Sequence, residues 1–311
     1  MSKHRKLISN RARMTRFALD LFYRRGVRAS GLFKQGKCLA ALPSVWRPSK
    51  DECFEAFKIG NLPAERLSRR HGRADRVIFH LHGGGYLVKL MDLYRFAARR
   101  YLKASQGATV LTIDYRTAPE HTFPAALEDA LMAWDWLLNK GYSEEQMIVI
   151  GDSGGAHLAT TFDMCLRDRG RTLPKALILL SPWLDLTASG PSYKENRFRD
   201  PIFGLKKEGE TFVERYNLLF QYFANQDLKA PYISPIFGDF HGFPNTLIQV
   251  GSDEILLSDA ITFYEKATKV GVNATLSIYD GIFHTFQILT SFLPESKKAW
   301  NEIQAFIESQ W

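Results

Sequence analysis

Residues 147–159 read MIVIGDSGGAHLA: an apolar run from Met147 to Ile150, a knot of small residues around Ser153, then a helix-forming stretch. Apolar residues in unbroken series, rather than alternating with polar ones, suit a strand covered on both faces. The glycines at 151, 154 and 155 permit a turn too sharp for larger side chains. The segment therefore predicts strand, tight turn and helix.

Working outward, the same apolar signature appears at RVIFHL (76–81), ATVLTID (108–114), KALILLS (175–181), NTLIQVG (245–251) and ATLSIYD (274–280). Helical patterns over 92–104, 123–139 and 154–168 lie between the earlier runs and are long enough to cross over between parallel strands. The expected architecture is an α/β fold with a mostly parallel central sheet flanked by helices. FEAFKIG and AERLSRR, on either side of NLP, read as a hairpin preceding it. One interval breaks the rhythm. A compact connection between such elements takes about two to six residues, yet residues 182–244 separate two strands and contain RFRDPIFG (197–204) and FVERYNLLFQYF (212–223). An inserted lid over the strand ends is expected there.

The chain has 311 residues, 45% hydrophobic and 24% charged, enough for a large core. Its three cysteines, Cys38, Cys53 and Cys165, show neither close pairing nor metal-ligand spacing, which favours a reducing, cytoplasmic location. The net charge of +8 is concentrated at one end. Residues 1–37 hold 11 of the 41 Lys/Arg but only one of the 33 acids, Asp20, so the remaining 30 bases and 32 acids nearly cancel. A nucleic-acid partner is not expected of so neutral a body.

That basic segment carries Leu7, Ile8, Arg11, Met14, Phe17, Ala18, Leu21 and Phe22 at three-four spacing, with only Arg11 interrupting an apolar stripe. Two readings stay open: a helix packed on the domain with its basic face in water, or one attracted to an anionic membrane surface. Asp20 and the arginines exclude a signal peptide. No run approaches the ~20 apolar residues of a membrane span. The expectation is a soluble protein, with membrane contact at most peripheral; a monomer and a homodimer both remain compatible with the sequence.

The chemistry begins at Ser153, the centre of a G-x-S-x-G lying between strand and helix, where a serine can be presented as a nucleophile. A hydroxyl needs a general base, and the base needs a carboxylate to fix its tautomer. In the order Ser, acid, His, the partners should follow late strands. Asp253 comes just after NTLIQVG, and His284 just after ATLSIYD. Of the eight histidines, His4 and His71 lie in polar leading segments, and His241 lies on the wrong side of the sheet. His121 has no aspartate placed behind it, and His157 is expected to hydrogen-bond structurally. His80 and His82 form an H-x-H pair without the further ligands of a metal site. Among the acids, Glu254, Asp259 and Asp280 are also near; Asp259 reads as a surface or capping residue, Asp280 as fixing a turn, and Asp253 is the expected partner of His284.

Gly83, Gly84 and Gly85 follow the strand that ends at Leu81. They lack the Gly-Lys-Ser/Thr of a phosphate loop, and Val88 stands where a dinucleotide fingerprint needs glycine. Backbone amides aimed at a developing oxyanion remain: Gly84 and Gly85 as donors, Gly83 supporting the turn, and Gly154 completing the set.

HGGGY (82–86), DYRTAPEHTFPAALEDA (114–130), GDSGG (151–155), SPWLDLT (181–187), SPIFGDFHGFPNTLIQVGSDEILLSDA (234–260) and YDGIFH (279–284) together resemble the hormone-sensitive-lipase-like group of α/β-hydrolase esterases, in its bacterial acetyl-esterase and lactone-hydrolase branch. The resemblance runs from about residue 60 to the C-terminus. It implies a Ser153–Asp253–His284 triad, an HGGG oxyanion loop, no cofactor or metal, and a helical cap. Residues 1–50 and 185–231 would form the cap; residues 51–184 and 232–311 would form the catalytic domain. Carboxylic esters of short to medium acyl chain are the implied substrates. Lactone hydrolysis, amidase or deacetylase activity, and a non-catalytic binding role are the alternatives. The group's commoner G-D-S-A-G-G differs here, with Gly154 in place of alanine and Ala156 in place of the later glycine. Cap aromatics Phe212, Tyr216, Phe220, Tyr222 and Phe223 would shape a pocket or simply pack, and Trp183 would line the site or pack.

Overall fold

The computed structural model describes residues 8–25, 44–205 and 209–311, with backbone alone over 21–25. Leu7 and Cys38, and the side chains of Leu21 and Phe22, lie outside the described residues.

Eight strands form one sheet: β1 (Glu52–Ile59), β2 (Leu62–Arg69), β3 (Arg73–Leu81), β4 (Ala108–Ile113), β5 (Met147–Asp152), β6 (Ala176–Leu180), β7 (Asn245–Gly251) and β8 (Ala274–Tyr279). Their spatial order is β1-β2-β4-β3-β5-β6-β7-β8. β1 and β2 make the antiparallel hairpin, β2 also runs antiparallel to β4, and the remaining neighbours are parallel. The register sets Val149 of β5 beside Phe79 of β3 and Leu177 of β6, so the strand bearing Ser153 at its end lies inside the sheet.

β4, β5 and β6 are buried throughout, as their continuous apolar runs require. Pleating divides those runs between two cores. Phe79, Val149, Leu177 and Leu179 pack with α3 (Ala125–Asn139) and α4 (Gly154–Asp168), while Ile78, Val110, Ile148, Ile150 and Ile178 meet α2 (Asp92–Ala104) and the C-terminal helix, Pro294–Gln310. α4 is buried from Gly154 to Leu166. Its Phe162 is wholly enclosed, edge-on to Phe79 and Trp134, and truncating such a ring costs about 3–5 kcal/mol. The helix that follows the Ser153 turn is therefore held rigidly against the sheet.

Between β6 and β7 the chain makes short helices, Ser192–Glu195 and Phe212–Arg215, and 3-10 turns at Asn217–Phe223 and Pro235–Phe237. The aromatic run is thus not one long helix.

The N-terminal helix α1 (Asn10–Arg25) departs from the packed-stripe reading. Ala12 is buried, and Ile8 and Leu19 pack on the cluster of Tyr279, Ile282, Phe283 and Phe286. Ser9 anchors the helix start, its amide and hydroxyl donating to Glu295 at 2.8 and 3.0 Å. Met14 and Phe17 face outward, 73% and 68% exposed. Ile8 of the expected stripe packs, whereas Met14, Phe17 and Ala18 stay exposed; the contacts at 12, 16 and 19 come from another face, through apolar packing of Ala12 and Leu19 and the ion pair of Arg16.

Candidate active site

Ser153 caps β5 with φ 54° and ψ −119°, a conformation an L-residue adopts only when its surroundings enforce it. The enforcement is visible in the neighbours. A side chain at Gly155 would collide with the carbonyls of Leu81 and His82, so strand and helix can approach only across bare backbone. The Ser153 amide donates to the Leu180 carbonyl at 2.9 Å, fixing the turn to β6. The hydroxyl meets His284 Nε2 at 2.9 Å.

Gly84 and Gly85 both take positive φ, 107° and 58°. Gly83 donates its amide to Asp152 Oδ1 at 3.0 Å, so its N–H is spent inside the structure. Among the described residues no hydrogen-bond acceptor takes the amides of Gly84, Gly85 or Gly154. The Cβ position of Gly154 lies 3.1 Å from both N and Cα of Gly85, which brings the two loops together. Glycine in place of the group's usual alanine at 154 suits that spacing.

His284 pairs with Glu254, not with the expected Asp253. Nδ1 lies 3.0 Å from Glu254 Oε2, and this carboxylate also accepts from Ser181 Oγ at 2.8 Å and from the Gly251 amide at 2.5 Å. Glu254 is fully buried with both oxygens engaged. Asp253 turns the other way, into an ionic cluster with Arg16 of α1 and with Arg199, 2.5 Å away. One residue's difference reverses the side-chain direction in this loop, and two guanidiniums claim the shorter side chain. Asn196 braces the same loop by donating to the carbonyls of Ser252 and Glu254 at 2.9 and 2.7 Å, and buried Asp200 accepts from the Ile255 amide at 3.0 Å. The Phe203 ring stands edge-on to His284, with centroids 4.7 Å apart.

This Ser–His–Glu line at the carboxyl ends of β5, β7 and β8 lies within residues 78–288, over which the chain matches the alpha/beta hydrolase fold family. The chain belongs to that family. The hydrolase is 34% identical over 280 residues to an esterase of Acinetobacter venetianus, covering 86% of this chain and 89% of that one. It is 35% identical over 257 residues to an acetyl-hydrolase of Streptomyces hygroscopicus, covering 82% of each. Among solved structures it superposes on an esterase of the bacterial hormone-sensitive lipase family with a TM-score of 0.85 and 31% identity, covering 98% and 99% of the two chains. The hydrolase is accordingly a carboxylic ester hydrolase of that lipase-like family.

The remaining candidates sort by their partners. His157 donates from Nε2 to the Ile233 carbonyl at 2.9 Å and accepts at Nδ1 from Tyr86 Oη at 2.6 Å; burial pulls its pKa down to about 4. It is a neutral structural ring, as expected. His82 donates to the Gly83 carbonyl at 2.7 Å, stacks on Tyr115, and is likewise held near pKa 4 by burial. His80 contacts Thr112 Oγ1 and, at 3.6 Å, Asp152. Among the described residues no group of three His, Cys, Asp or Glu is arranged for a metal ion. Asp280 accepts from Ser252 Oγ at 3.2 Å, in keeping with a turn. Asp259 is not a surface residue: it is buried, accepting from the Leu184 and Asp185 amides and Tyr193 Oη, and burial beside Asp185 raises its pKa well above the usual range.

Trp183 is buried and edge-on to Phe212, Phe220 and Phe223. Tyr222 stacks on Tyr86 at 4.2 Å and 7°, tying the aromatic insertion to the glycine loop. Leu219 sits directly against Gly85, where any side chain would collide with it. Sequence reasoning missed Ser181, Asn196, Arg199 and Asp200 as supports of the acid loop. Only SPWLDLT, with Ser181 at a strand end, offered a signal for any of them.

Proposed function

We propose that the hydrolase is a serine carboxylesterase acting on short- to medium-chain esters through an acyl-enzyme, with Ser153 as nucleophile, His284 as general base and Glu254 as the orienting acid. The observation that carries this reading is the unbroken line from Ser153 Oγ to His284 Nε2 at 2.9 Å and from His284 Nδ1 to Glu254 at 3.0 Å. As the hydroxyl attacks the ester carbonyl, its proton passes to Nε2, and the buried carboxylate stabilises the imidazolium. The amides of Gly84, Gly85 and Gly154 receive the oxyanion; each such donor is worth about 10²–10³ in rate. His284 then returns the proton to the leaving alcohol, and water repeats the sequence on the acyl-enzyme.

Leu219 against Gly85 limits the room beside the oxyanion loop, which supports small acyl groups. Two relatives lend weight: one is named an acetyl-hydrolase, and crystals of another, at 32% identity, were soaked with p-nitrophenyl butyrate. The test is turnover of p-nitrophenyl acetate and butyrate by wild type and Ser153→Ala, extended from C2 to C12 acyl chains. Loss of turnover in the variant and a maximum below about C10 are expected. Equal rates in the two proteins would end the esterase reading.

A further inference from the structure

We propose that the outward face of α1 is a docking surface for an anionic phospholipid membrane. The helix is fastened to the domain through Ser9, Ala12 and Arg16. This leaves Met14 and Phe17, one turn apart and 73% and 68% exposed, side by side in water. Exposed Arg11, Arg13 and Ala18 surround them. Two large apolar side chains among guanidiniums on one helix face are the composition of an interfacial helix: the apolar groups enter the acyl boundary while the cations meet lipid phosphates.

The face continues beyond the helix. Asp20 of α1 lines a cavity of about 290 Å³ together with Arg197, Phe198, Asp200, Pro201 and Leu205. Phe198 is 53% exposed, with the Arg197 guanidinium 4.4 Å over its ring. A second apolar and basic pair thus stands across that cavity from α1. Asp200, on its wall, is the residue that accepts from the Ile255 amide in the catalytic acid's loop. A membrane seated on Met14, Phe17 and Phe198 would lie beside the cavity that adjoins the catalytic loops.

Charge selects the occupant. Residues 1–37, which include Arg11 and Arg13, hold 11 bases against one acid, while the rest of the chain holds 30 bases against 32 acids. Two copies of so basic a segment repel one another; an anionic bilayer attracts it.

The experiment is co-sedimentation of the full chain with vesicles of phosphatidylcholine alone and of phosphatidylcholine with 30% phosphatidylglycerol. Wild type is compared with Met14→Ser/Phe17→Ser and with Arg11→Gln/Arg13→Gln. Binding is expected only to the anionic vesicles, weakened about tenfold or more by either double substitution and by high salt. Unfolding temperature and p-nitrophenyl butyrate turnover in buffer serve as controls for the fold and should not change. Co-sedimentation requires no turnover, so the result is separable from the esterase reading. Three outcomes overturn the proposal: no binding of wild type to anionic vesicles, binding equal in wild type and both variants, or concentration-dependent self-association that the Met14/Phe17 variant abolishes.

Discussion

The two halves of the proposed catalytic line are built on different principles. On the Ser153 side, the turn, the glycine loop and His157 are held by backbone sterics and hydrogen bonds, with close approaches at Gly155 and Gly154, the Gly83 amide on Asp152 and the Tyr86–His157–Ile233 chain. On the acid side, Glu254 is held in a loop whose neighbour Asp253 is locked by ions from α1 and from the insertion between β6 and β7. The first arrangement follows from which backbones can approach, and glycines mark those approaches in the sequence. The second is assembled by residues far apart in the chain, and there adjacent positions acquire opposite fates.

The sharpest way to break this comparison is to neutralise the two neighbouring carboxylates separately. Glu254→Gln keeps the shape but cannot stabilise the imidazolium, so kcat for p-nitrophenyl butyrate should fall about 10³–10⁴-fold. Asp253→Asn should change kcat by less than about tenfold, because its side chain pairs with Arg16 and Arg199 while Glu254 bonds to His284. A reversed result would return the acid's role to Asp253 and undo the assignment made from the hydrogen bonds.

Next in size is the glycine loop. Gly85→Ala adds a methyl at φ 58° against Leu219 and should cost about 10²-fold in kcat by disturbing an oxyanion donor. Gly85→Ala/Leu219→Ala tests the cause. Partial recovery would assign the loss to the collision, whereas none would assign it to the strained φ. A fully active Gly85→Ala would remove this amide from the mechanism.

On the acid side, Arg16→Ala tests the ionic lock. Removing one partner of a buried pair commonly costs about 3–5 kcal/mol; with Arg199 still in place and Arg16 itself 26% exposed, about 2 kcal/mol is expected in urea unfolding. Turnover should fall far less than in Glu254→Gln. An unchanged unfolding midpoint would mean that α1 is held without this contact.

The same contrast explains what the sequence made legible. Strand, turn and helix around Ser153 could be read because the apolar run and the small residues that permit the turn are adjacent in sequence, and the glycines at 84 and 85 because positive φ favours that residue. Asp253 and Glu254 could not be told apart, since what separates them is Arg16 at the other end of the chain and Arg199 in the insertion. Asp259 looked like a helix-surface residue, yet the amides of Leu184 and Asp185, more than seventy positions earlier, draw it inward. For α1, apolar periodicity pointed to a stripe through Met14 and Phe17. The face that packs carries, beside Ile8 and Leu19, Ser9, Ala12 and Arg16, residues too polar or too small to register in such a pattern.

The smallest expected effect concerns pH and again separates the halves. His157 has a folded pKa near 4, below the 6.5 of an unconstrained imidazole, because burial disfavours its charged form. Between those values the unfolded chain binds a proton that the folded chain refuses, so this contribution to stability is full above pH 6.5 and declines as pH falls toward 4. Asp163 and Asp259, whose carboxyls burial pushes upward, act with the opposite sign and gain stability as pH falls through the same range. A plain profile of the wild type would mix the two. The difference between wild type and His157→Gln, which keeps an amide able to bridge Tyr86 and the Ile233 carbonyl but cannot titrate, isolates the histidine. Wild type should lose about 1 kcal/mol relative to the variant between pH 7 and pH 5.5 in urea unfolding. A wild type that instead gains stability relative to the variant as pH falls would mean that His157 is protonated in the fold. The neutral chain from Tyr86 through His157 to Ile233 would then be ionic after all, and the contrast between the two sides of the site would lose its clearest member.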